Sequence, residues 1–78
     1  MSREMAEETV IDVQGLDPPE PMERILEALE ILGPDASLRV KIHREPFPLY
    51  TILQDSGFEY RIDPGSESLF ELVITKKT

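Results

Sequence analysis

Thr9-Val10-Ile11-Asp12-Val13-Gln14-Gly15-Leu16-Asp17-Pro18-Pro19-Glu20-Pro21-Met22 is the stretch from which the fold can be read. Its first half is short, rich in β-branched residues and ends at Gly15, as a strand does. Its second half holds three prolines and then enters a helical pattern. Proline suits the first turn of a helix, where the N–H it lacks has no intrahelical partner anyway. Asp17 and Glu20 have the spacing of a capping box, with Asp17 as the expected cap. A strand that turns at glycine into a proline-marked helix opens a strand–helix–strand unit, which favours a parallel pair and a right-handed crossover.

Working outward, Met22, Ile25, Leu26, Leu29 and Leu32 recur at helical spacing opposite Glu23, Arg24, Glu27 and Glu30, and Gly33-Pro34 stops the helix. Leu38, Val40 and Ile42 then alternate with Arg39, Lys41 and His43, the period of a half-buried strand. Arg44-Glu45-Pro46-Phe47-Pro48 is a second proline-marked helix start, followed by the apolar face Leu49, Ile52, Leu53 and a stop at Gly57. Phe58, Tyr60 and Ile62 alternate with Glu59, Arg61 and Asp63. The turn Asp63-Pro64-Gly65-Ser66 leads to Phe70, Leu72 and Ile74, and the two runs pair as a hairpin.

The expected fold is therefore α+β: a two-layer sandwich of order β-α-β-α-β-β, with a mixed four-stranded sheet and both helices on one face. Residues 1–8 are expected to be a disordered leader, 9–75 a single domain and 76–78 a short tail. A chain of 78 residues supports one core only.

Composition narrows the function. The net charge of −8 repels nucleic-acid phosphates and anionic membrane surfaces, so neither is an expected partner. No apolar run approaches the roughly 20 residues that span a bilayer, and a cytoplasmic location is the expectation. With no cysteine, the chain has no disulfide, no thiolate metal site and no thiol nucleophile. It also carries no phosphate-binding loop, dinucleotide fingerprint or nucleophile elbow, so an enzyme is the weaker expectation.

Gly15-Leu16-Asp17-Pro18-Pro19-Glu20-Pro21 resembles the Gly-Leu-x-Cys-Pro-x-Pro signature of the TusA/SirA sulfur-carrier family at Gly15, Leu16, Pro19 and Pro21. Those are small domains of the same element order, so the resemblance spans residues 9–75. It fails where it matters chemically. Pro18 stands where that family has its cysteine, whose thiolate is favoured by the helix dipole. Proline has no thiol, so this chain cannot carry a persulfide. The chain is similar more closely to the cysteine-less relatives of TusA, bacterial domains of unknown function. They share an Asp-Pro-Pro-x-Pro first start and an (Asp/His)-x-Pro-x-Pro-Leu-Tyr second one, here His43-Arg44-Glu45-Pro46-Phe47-Pro48-Leu49-Tyr50. The resemblance implies a setting near metal- or redox-related domains and brings no catalytic residue with it.

The candidate binding residues are accordingly Asp17, Pro18, Pro19, Glu20 and Pro21 at the first start, and His43, Arg44, Glu45, Pro46 and Pro48 at the second. In open α/β sheets ligands favour the end where strand C-termini meet helix N-termini. His43, the one histidine, is a weak metal candidate that would need Glu45 or Asp12 beside it; a surface or capping histidine is the simpler reading. Glu20 and Glu45 are conceivable acid–base groups, more simply helix-start carboxylates. Arg39, Lys41, His43 and Arg61 are expected together on the sheet face away from the helices, as a docking face or as cross-strand partners of Glu59, Asp63 and Glu71. No cofactor is expected. A protein partner is, with the chain itself a monomer or weak homodimer. The leading function is a binding or adaptor domain; the alternative is a small-ligand or metal-binding domain using His43, linked to redox or sulfur metabolism.

Overall fold

In the computed structural model, which describes residues 8–65 and 68–76, the strand–glycine–proline–helix reading holds. β1 (Glu8–Asp12) ends in an Asx turn: the Gln14 backbone N–H donates to Asp12 Oδ1 at 3.0 Å, and Gly15 follows at φ 80°. That hydrogen bond, with a second from the Gln14 side chain, holds the Asp12 carboxyl below its usual range. α1 (Glu20–Glu30) begins three residues later than Asp17 and contains Pro21 in its first turn. Asp17 does not cap it. The residue before α1 is Pro19, without a side-chain cap, and Asp17 instead accepts the Glu20 N–H through its carbonyl at 2.9 Å. The prolines displace the helix start past the reach of the expected capping box. The Pro18–Pro19 peptide is cis.

β2 (Ser37–Ile42) leads to α2 (Phe47–Asp55), beyond whose C-cap Ser56 comes Gly57 at φ 83°, a left-handed conformation open to glycine at no steric cost. β3 (Phe58–Pro64) and β4 (Phe70–Lys76) form the expected hairpin. Two boundaries move: Glu8, expected in the leader, opens β1, and Lys76, expected in the tail, closes β4. Residues 1–7 and 77–78 of those two segments, and Ser66 of the turn, lie outside the described residues.

The sheet order is β1-β2-β4-β3. β1 runs parallel to β2, and β4 lies antiparallel between β2 and β3. The reason is composition. Leu72, Val73 and Ile74 are all buried, so β4 is the strand that tolerates covering on both sides. β3 ends in Pro64, which an edge strand accepts because one row of its N–H groups makes no ladder bond. The core sits between the layers: Leu38, Val40, Ile42, Leu72 and Ile74 of the sheet against Ile25, Leu29, Leu49 and Leu53 of the helices. No helix among the described residues is long and apolar enough to cross a membrane.

The opposite face of the sheet is open. Its middle row runs Arg39–Val73–Arg61 across β2, β4 and β3. Val73 is buried there, and the long stems of the two flanking arginines are the side chains placed to cover it. Arg39 donates to Glu71 at 2.7 Å and to Glu8 at 3.2 Å, and those two carboxylates hold its guanidinium above its usual range, Glu71 foremost. Arg61 donates to Asp63 at 2.9 Å. With Asp12, Lys41 and Glu59 on the same side by register, the basic groups stand among acidic ones. His43 is not part of this face. β2 ends at Ile42, so the alternation stops one residue before it.

Leu72→Ala is expected to lower unfolding stability by about 3 kcal/mol, as for other fully buried leucines. Leu69→Ala, at a residue left exposed before β4, is expected to cost less than about 0.5 kcal/mol. Urea denaturation followed by circular dichroism measures both; equal losses would contradict the assignment of β4 to the centre.

Candidate functional site

The two proline-marked helix starts face each other across one cleft of about 450 Å³. It lies beyond the carboxyl ends of β1 and β2, where the chain leaves each strand for its helix. Asp17, Pro18, Pro19 and Pro21 form one wall; His43, Arg44, Glu45, Pro46 and Pro48 form the other. The floor is apolar, made by Leu16, Met22, Ile25, Ile42 and Leu49. Glu20 alone of the ten expected residues turns away: it accepts from Arg24, one helical turn on, at 3.3 Å. Glu20 and Glu45 therefore do not meet in the cleft as an acid–base pair.

The rim is poor in backbone hydrogen-bonding groups. Prolines offer no N–H. The carbonyls of Asp17, Pro19, Glu45 and Pro46 each already accept an N–H of the adjoining helix start, from Glu20, Glu23, Phe47 and Leu49, at 2.9–3.1 Å. What polarity the cleft has comes from side chains. His43 is half-buried, and its Nδ1 is fully shielded without a hydrogen-bond partner. A buried polar atom in that condition costs free energy until something pairs with it.

Glu45 is held in place by Tyr50, whose hydroxyl donates to Oε2 at 3.1 Å. Tyr50 stacks flat on Tyr60 of the edge strand, ring centroids 4.5 Å apart, and Phe47 meets its edge at 6.0 Å. Tyr60 in turn accepts from Gln54 at 3.2 Å. This aromatic group fastens α2 to β3 and so sets the second wall of the cleft. Phe47 remains 66% exposed. Burial, then the hydrogen bond to Glu45, push the Tyr50 phenol up to about 12.

Metal chemistry finds no cluster. Among the described residues no group of three or more His, Asp or Glu side chains stands together to hold an ion. Asp12, a conceivable partner of His43, is engaged by Gln14. Sequence patterning gives Met22, Ile25, Ile42 and Leu49 as core only. That they also floor a cleft follows from the prolines of the two helix starts, which hold the walls apart.

Fold and site together define a two-layer α+β domain with one preorganised, largely apolar cleft between its helix starts. The chain belongs to a conserved family, described as uncharacterized conserved protein DUF2249, which matches residues 10–76. No curated protein and no solved structure matches it.

The raised Tyr50 pKa has a definite sign. The folded state holds the phenolic proton more tightly than the unfolded chain, so this contribution is complete below pH 10 and is lost as pH rises toward 12. The melting temperature of the wild type is expected to fall more steeply between those values than that of Tyr50→Phe. Spectrophotometric titration at the tyrosinate band is expected to show one of the two tyrosines ionising late. Both tyrosines ionising together near pH 10 would contradict the packing of Tyr50.

Proposed function

We propose that this domain is a binding or adaptor module whose working surface is the cleft between the two proline-marked helix starts. The observation that carries the reading is the convergence of two separate sequence motifs, Asp17–Pro21 and His43–Pro48, on one apolar concavity. Such concavities with a few convergent polar groups are where proteins take ligands and partner side chains. The walls are rigid, because proline fixes its own φ, and a rigid site loses little entropy on binding.

A relationship to TusA-type domains fits this reading. The Gly15-Leu16 and Pro19-x-Pro21 pattern and the element order support it. Pro18, at the position of the sulfur-carrying cysteine in that family, lines the cleft. On this account the place once used for chemistry serves for docking alone. A protein partner in the cytoplasm is the expected occupant. The open sheet face, with Arg39, Lys41 and Arg61, is a secondary surface. Arg39 and Arg61 already have carboxylate partners there.

A small-ligand site is the second reading, favoured by one observation: the shielded, unpartnered Nδ1 of His43. The absence of any cluster of metal-binding groups among the described residues turns that reading away from a metal ion and toward an organic ligand.

Selection of a displayed random peptide library on the immobilised domain tests the leading reading. Enriched peptides are expected to bind the wild type and Arg61→Glu alike, and to bind a Pro18→Glu/Pro48→Glu double variant at least tenfold more weakly. Both proline positions are exposed, so the double variant is expected to keep its circular dichroism spectrum. Peptides that lose binding to Arg61→Glu instead would move the working surface to the open sheet.

A further inference from the structure

The sheet has two outer strands, and they are not alike. β3 ends in Pro64 and sets Arg61 between Glu59 and Asp63 on its open-face row, an edge of mixed charge. β1 is acidic at both ends of that row, with Glu8 and Asp12 on either side of Val10, which is 50% exposed. The Val13 N–H donates to the Lys41 carbonyl at 3.0 Å, toward β2. Backbone groups of successive strand residues point to opposite sides, so those of Glu8, Val10 and Asp12 point away from β2. No backbone hydrogen bond reaches that outer row among the described residues. Beside it runs a groove of about 470 Å³ between β1 and α1. Ile11 and Leu16 form one side of the groove; Ala28 and the 87% exposed Ile31, in one helical row with Arg24 and Glu27, form the other. Edge and groove present three carboxylates, Glu8, Asp12 and Glu27, against one arginine, and Arg24 is already bound to Glu20 at 3.3 Å. Glu8 shares its own partner, Arg39, with Glu71.

We propose that β1 takes a further strand from a partner protein, an extended segment whose apolar residues are flanked by basic ones. The groove shares only Leu16 with the cleft between the helix starts, and the inference does not rest on that cleft. In an antiparallel pairing the residue opposite Val10 exchanges both backbone hydrogen bonds with it. The residues on either side of that one project to the helix side, over Ile11 and toward Ala28 and Ile31, where apolar side chains displace water. Those two steps away stand on the open face opposite Glu8 and Asp12, where Lys or Arg is complementary. A second copy of the chain does not fit this edge. Paired about Val10, it sets Glu8 opposite Asp12 twice, like charge against like.

The test adds three blocked peptides to the ¹⁵N-labelled chain at low salt. The first is N-acetyl-Thr-Lys-Val-Thr-Val-Lys-Thr-amide. The second has both lysines replaced by glutamate, and the third is the lysine peptide N-methylated at its central threonine. The lysine peptide is expected to shift the amides of Glu8–Val13 and Ala28–Ile31 and to leave Arg44–Leu49 unmoved. The glutamate peptide is expected to bind about tenfold more weakly, the scale of two exposed ion pairs. The N-methylated peptide, unable to donate opposite Val10, is expected to lose the β1 shifts. Val10→Pro removes an outward N–H that β2 does not use and is expected to have the same effect, with unchanged β4 resonances identifying a folded variant. Equal binding of the lysine and glutamate peptides, or undiminished binding after N-methylation, would overturn the inference. Shifts confined to Arg44–Leu49 would overturn it by placing the peptide in the cleft, and so would no shifts with any peptide. Movement of the β1 amides with chain concentration alone would overturn it in favour of a second copy.

Discussion

Everything in this domain depends on β4 lying between β2 and β3. The last strand of the described sheet is one of its two inner strands, and its burial on both sides ties the strand–helix–strand unit to the C-terminal hairpin. Leu72 and Ile74 supply the floor on which both helices rest. Val73 faces the other way and is covered as well, between the register neighbours Arg39 and Arg61. A chain of this length buries a modest fraction of its surface, so a strand with four consecutive buried residues, Glu71 among them, carries much of its cohesion. The carboxylate of Glu71 is tolerated in that setting because Arg39 donates to it at 2.7 Å.

The cleft is a consequence of that arrangement. With β2 held in the sheet, its exit at Ile42 and the exit of β1 after Asp12 lie at the same end, and each is followed by a proline-rich passage into a helix. Proline rings cannot close onto one another through backbone hydrogen bonds. The passages therefore stay apart, and the apolar residues beneath them remain accessible between two walls. The Tyr50–Tyr60 stack and the Tyr50–Glu45 hydrogen bond then fix the second wall from behind. Rigidity in this region has a chemical source at each point, and a preorganised cleft is its result.

Much of this is legible in the sequence, for identifiable reasons. Period-two alternation in Leu38–Ile42 and Phe58–Ile62 gives β2 and β3, and the proline pairs give both helix starts. Strand order is another matter: no local pattern says that Phe70–Lys76 inserts beside Ser37–Ile42, because that pairing is long-range. The capping expectation at Asp17 fails because a capping box assumes a helix that starts at once, whereas Pro18 and Pro19 hold the chain out of the helix until Glu20. His43 misleads for a similar reason. Alternation assigns it to the open face, but the strand has ended, and the bend carries it into the cleft wall. Which carboxylates are free and which are engaged, Glu45 by Tyr50 and Glu20 by Arg24, depends on side-chain geometry that spacing alone does not contain.

The central claim is that two motifs distant in sequence form the walls of one cleft. Because the chain has no cysteine, a nitroxide attached at Pro48→Cys reports on a single position, and paramagnetic relaxation of backbone amides measures what surrounds it. Strong broadening of the Leu16–Met22 amides, with Ser37 and Thr75 at the far end of the sheet least affected, is the predicted result. Unbroadened Leu16–Met22 signals beside a fully active label would contradict the account, since the two proline starts would then not share a site.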